Sequence, residues 1–201
     1  MGTVGGKGSL EMNGQFSNSG LLRPEDGTLY VQGQAGISST GTVDLQAGAR
    51  LSMAGSGWSN AGLMQMNGGS LTGATLTNTA TGLLSGRGVI EAALVNQGQI
   101  TVSGGSLVLG STLTNSGIVQ LGGLGTQLAG SGMLTNTGTV QGAGNVGMRV
   151  ANAGTLEAMG GTLSFSAQAN TNTATGTLAA GAGTKLLMIQ GLGTNAGLIQ
   201  L

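Results

Sequence analysis

Six side chains carry a carboxylate, Glu11, Glu25, Asp26, Asp44, Glu91 and Glu157, and these are the groups best able to do chemistry. Two carboxyls held about 5 to 9.5 Å apart can hydrolyse a glycosidic bond. Glu25 and Asp26 are adjacent, so on a strand they face opposite ways. The other four are dispersed along the chain. His is absent, which removes the commonest general base and transition-metal ligand. Cys is absent too, so disulfides and thiolate metal sites are excluded.

The remaining motifs are weaker. GAGNVG at 142–147 fits G-x-G-x-x-G, but Gly fills 43 of 201 positions and no helix-forming stretch follows to present its N-terminus to a phosphate. GGLGTQL at 122–128 has the glycines of a calcium-binding solenoid repeat without a carboxylate, whereas hard cations take several oxygen ligands, usually including charged ones. Thr-Asn-Thr occurs at 77–79, 135–137 and 171–173, a triplet that in successive turns would make a flat ice-binding array. The intervening turns read VNQ at 95–97, TNS at 114–116 and ANA at 151–153, so the array is broken. Trp58 and the nine Met residues are read as core filler. No catalytic, cofactor-binding or metal-binding residue is assigned, and no cofactor is expected.

Composition narrows the partners. Six basic and six acidic residues cancel, leaving no basic surface for nucleic acid. The longest aliphatic cluster, LLMI at 186–189, is far too short to insert into a bilayer. MGTVGGKGSL at 1–10 lacks the apolar segment of a signal peptide, so the expectation is either an intracellular protein or a piece whose export signal lies elsewhere. Disordered chains are poor in aliphatics; here 39% of residues are hydrophobic, at regular spacing.

That spacing defines the elements. The phrases LVNQGQITV at 94–102, LTNSGIVQL at 113–121, LTNTGTVQG at 134–142 and VANAGTLEA at 150–158 repeat one pattern. Its anchor is Asn18, Asn60, Asn78, Asn96, Asn115, Asn136, Asn152, Asn172 or Asn195, with Ser39 in the same place within ISSTGTVDL at 37–45. Steps between anchors run from 16 residues (Asn136 to Asn152) to 23 (Asn172 to Asn195), a solenoid period. An apolar residue sits two places before eight of the ten anchors, as in Leu94, Leu113 and Leu134, and another four places after eight of them, as in Ile100, Val119 and Val140. NTATG at 78–82 and 172–176 delays the second one to Leu84 and Leu178, a two-residue enlargement of the bend. RPEDG at 23–27, with the single Pro, is expected to loop out between strands.

Alternation in short runs is the strand period, and Gly every few residues would cost a helix about 1 kcal/mol each time. One phrase recurring at one period favours a coil that returns to the same place over a hairpin meander. The expected fold is all-β: a single-stranded parallel β-helix (β-solenoid) of about ten turns of about 20 residues. It forms one domain over 1–201, with Asn stacked on Asn and Leu on Leu. In each bend Asn and the following Gly are expected to supply left-handed backbone. Strands about 4.8 Å apart make this a rod of about 48 Å. Neither end carries a polar cap, which suggests a segment of a longer rod, open to end-to-end or edge association.

LTNSGIVQLGG, LTNTGTVQG and VANAGTLEAMGGTLSF resemble the Gly- and Asn-rich repeats of bacterial autotransporter passengers and filamentous-haemagglutinin-like surface adhesins. The resemblance covers roughly residues 13 to 201 and is one of repeat style. It implies a right-handed coil, secretion to the outer-membrane surface and extracellular work as an adhesin or its stalk, with no shared catalytic residues. The resulting expectation is a non-enzymatic structural or adhesive rod segment whose partner is a host or cell-surface glycan or protein. The rival reading is a flat-face module binding glycan or ice, followed by a glycan-degrading β-helix.

Overall fold

The computed structural model describes residues 2–33 and 36–201. The described secondary structure is all strand, and every strand pairing is parallel. The chain forms a β-solenoid of about 9 turns of about 21 residues. Each turn adds a short strand such as Leu113–Asn115 to a ten-stranded sheet, then a long strand such as Ile118–Gly130 to a 13-stranded sheet. Ten short strands make nine steps, or about 43 Å of rod at the usual strand spacing.

The large sheet folds along a line of glycines. Register shifts fall between Gly86 and Gly88, between Val102 and Ser106, and between Gly142 and Gly144. Gly104 and Gly160, both at φ 69°, turn the backbone through the left-handed region at this crease. A long strand thus presents one apolar pair before the crease and another after it.

The core is a set of single-file stacks. Leu94, Leu113 and Leu134 lie in register in the short sheet. Ile100, Val119, Val140 and Leu156 do so in the large one, and all seven are buried. Leu84 and Leu178 take the equivalent places, as the delayed spacing predicts. Trp58 is 2% exposed, stacked between Ile37 and Leu76. Met53, Met64, Met66 and Met148 fill the core, whereas Met159 is exposed at 45%.

Two expectations need correction. RPEDG is no loop: Leu21–Gly33 is one strand, and Pro24 is buried within it. Pairing of this strand with Thr42–Gln46 stops at Leu22, and pairing with Ala49–Gly55 begins at Gly27. Pro24 therefore sits where no N–H is needed on that side. The second correction concerns the bends. Gly117, Gly138 and Gly154 are not among the left-handed glycines, and the one left-handed residue other than Gly among those described is Ala169. Glycine is required there for closeness. A Cβ on Gly117 would fall inside the carbonyl oxygen of Gly98 one turn earlier, and Gly138 stands likewise over Gly117.

Candidate functional site

The most regular polar feature is internal. Asn side chains stack in a ladder in which each Nδ2 donates to the Oδ1 of the next turn, at 2.7 to 2.9 Å, from Asn60 through to Asn195. The same nitrogen donates across its own bend to the carbonyl two residues on, as from Asn115 to Gly117 O at 3.2 Å. In the enlarged NTATG bends it reaches the carbonyl four residues on, Gly82 from Asn78 and Gly176 from Asn172. Asn is thus chosen because one planar amide closes its own bend and joins two turns. Its buried position demands this satisfaction.

The outer face holds the acids, with Glu25 and Asp26 adjacent and both exposed in strand Leu21–Gly33 and the others dispersed. Asp44 and Glu157 share one outward row, through Gln65, Ser85, Thr101, Gln120 and Gln141. Six strand steps separate them, about 29 Å, far beyond a glycosidase pair. Glu91 pairs with Arg50 at 3.1 Å, both half exposed, an arrangement worth little in water. Among the described residues no group of three or more His, Cys, Asp or Glu could hold a metal ion.

Asp44 organises a tight polar cluster. Its side chain is 4% exposed, and it accepts from Arg23 at 2.8 Å, Gln46 Nε2 at 2.6 Å and Asn67 Nδ2 at 2.8 Å. Burial alone pushes the carboxyl up. The bonds from Gln46, Asn67 and Arg23, with the charge of Arg23, outweigh it and hold the carboxyl below its ordinary value. Beside this cluster is a shallow groove of about 340 Å³, lined by Gln46, Asn67, Arg87 and Ser103 among others. Arg87 donates to Gly104 O at 2.8 Å across it. Amide and guanidinium donors in a groove can hold hydroxyls or carbonyls.

A second outward row was hidden in the sequence. The middle residue of each short strand faces out, and Ser17, Ser38, Ser59 and Thr77 follow one another in register. Val95 and Ala151 interrupt the row, which continues with Thr114, Thr135 and Thr171. In the triplets Thr77–Asn78–Thr79 and Thr135–Asn136–Thr137 the Asn points inward. The second Thr donates back to the preceding turn, Thr79 to Asn60 O and Thr137 to Asn115 O at 3.1 Å each. GAGNVG at 142–147 lies mostly within strand Thr139–Val146 and opens no helix. GGLGTQL forms a small protrusion with Leu124 at its tip, 91% exposed.

A parallel solenoid with an internal amide ladder and a polar outer face defines the class as far as fold and site can. No protein-family model matches the chain, and no solved structure does. Among curated proteins it is similar to Deoxyribonuclease CdiA of Dickeya dadantii (strain 3937), 35% identical over 147 residues. That stretch is 71% of this chain and 4% of the relative, so the chain spans a small fraction of the protein it matches. The match corrects the expectation of a non-enzymatic protein, because the relative is named as an enzyme.

Proposed function

We propose that this chain is a rod segment of a large secreted bacterial surface protein, one domain within a longer solenoid. The observation that carries the reading is the parallel stacking of equivalent positions, turn upon turn, over ten short strands. Such stacking makes a stiff spacer in which each turn supports only its neighbours. The similarity to Deoxyribonuclease CdiA supports a very long parent, since the matched stretch is 4% of that relative. In the parent, the rod holds an active part, a nuclease for the type of the relative, away from the cell. A filamentous-haemagglutinin-like adhesin or an autotransporter passenger is the host of the same rod when that part binds a host glycan or protein. Antibodies against this chain should label intact cells of the source bacterium, and purified full-length protein should nick plasmid DNA. Labelling only after lysis would remove the surface role, and intact plasmid would remove the nuclease.

A second reading rests on the outward hydroxyl row. Four successive hydroxyls, Ser17 to Thr77, give a flat strip suited to glycan hydroxyls. Retention of the chain on a glycan array, lost in Ser38→Val with Ser59→Val, is the expected result for that reading.

A further inference from the structure

The amide ladder has one defective rung. Ser39 occupies the place of Asn between Asn18 and Asn60. In the intact rungs a single carboxamide nitrogen serves three oxygens. Asn96 Nδ2 lies 3.2 Å from Gly98 O, 2.7 Å from Asn115 Oδ1 and 3.1 Å from Ile118 O. The corresponding oxygens around Ser39, by register, are Gly41 O, Asn60 Oδ1 and Leu63 O. Serine is too short to serve them. Asn60 Oδ1 is buried and accepts no hydrogen bond, the one ladder oxygen so left among the described residues. Turning the Asn60 amide over would not help, because its Nδ2 already donates to Asn78 Oδ1 at 2.9 Å. Ser39 Oγ accepts from Asn18 Nδ2 at 3.1 Å, so its own proton is available to donate.

We propose that this rung is a binding site for one buried water molecule, bridging the Ser39 hydroxyl and Asn60 Oδ1. Asn60 Oδ1 lacks a donor, while Gly41 O already accepts from Leu63 N at 3.0 Å, and none of the oxygens that meet there carries a net charge, which selects water. Its two O–H groups donate to Asn60 Oδ1 and to one of the two carbonyls, and the Ser39 hydroxyl donates to its oxygen. About three hydrogen bonds to buried groups is the usual complement of an internal water. The water restores the continuity of the ladder between the second and third turns.

A high-resolution crystal structure of the whole chain tests this directly. It should show a density peak within about 3.2 Å of both Ser39 Oγ and Asn60 Oδ1. Ser39→Asn supplies the nitrogen covalently, so the peak should vanish and the melting temperature should rise by about 2 to 4 °C, the shift expected for roughly one hydrogen bond in a chain of this size. Ser39→Ala should lower it by a similar amount. A hydroxyl of Ser39 bonded straight to Asn60 Oδ1, with no peak, would overturn the proposal. So would a folded Ser39→Asn variant that melts below the parent. A melting temperature that follows sodium or ammonium concentration at fixed ionic strength would mark a cation in the site and overturn it as well.

Discussion

A carboxamide in the middle of the ladder does more than one side chain's work. Asn115 accepts from Asn96 and donates to Asn136, and both neighbours are fully buried. Asn115→Ala orphans one donor and one acceptor at about 1 to 3 kcal/mol each, so thermal denaturation should show a large loss of stability. Glycine is the other obligate residue of the bend. Gly117→Ala drives a Cβ into the turn below and should cost about 1 to 3 kcal/mol, in the range of an overpacked core. Gly181 has open space and ordinary backbone, and Gly181→Ala should shift the denaturation midpoint by less than about 0.5 kcal/mol. The pairing of Asn with Gly was plain in the sequence, but its cause was not. Left-handed backbone and close approach both select glycine, and only the distance to the neighbouring turn tells them apart.

Strands that alternate cleanly were legible throughout. Val119 and Val140 are buried where the spacing put them, and Val119→Asp should abolish the cooperative melt by burying an unpaired charge. The strands that break the pattern needed coordinates. Asn170 occupies an apolar place in its short strand. There its Oδ1 accepts from Val150 N at 2.9 Å, a role that backbone carbonyls play for Leu76 and Leu94. Asp44 is a similar exception, an outward carboxylate buried by its strand neighbours. Its folded pKa is depressed, so its contribution to stability is present above the ordinary carboxylate range. That contribution is lost as the pH falls through the folded value, below about pH 4. The parent chain should therefore lose stability on acidification more steeply than Asp44→Asn, as read from urea midpoints across pH 2 to 6 (about the carboxylate window). Periodicity could place Asp44 on the outer face. It could not show that Arg23, Gln46 and Asn67, from three different strands, would enclose it.

At the level of the whole molecule, the turn is the unit of change. Steps of 16 to 23 residues are accommodated between successive ladder positions, because the length varies in bends and crease while the stacks keep register. Deleting residues 97–115, one complete step of 19, joins Asn96 to Ser116 and should leave a shorter chain that still melts cooperatively. Removing only 97–106 breaks the step and should yield an unfolded chain by circular dichroism. The ladder also has a direction, since every amide gives its proton toward the C-terminal end. Duplicated turns can therefore be spliced in only with the same polarity, like carriages whose couplings differ front and rear. Growth of such a protein by tandem gene duplication is chemically easy, whereas two copies meeting nose to nose would confront like with like.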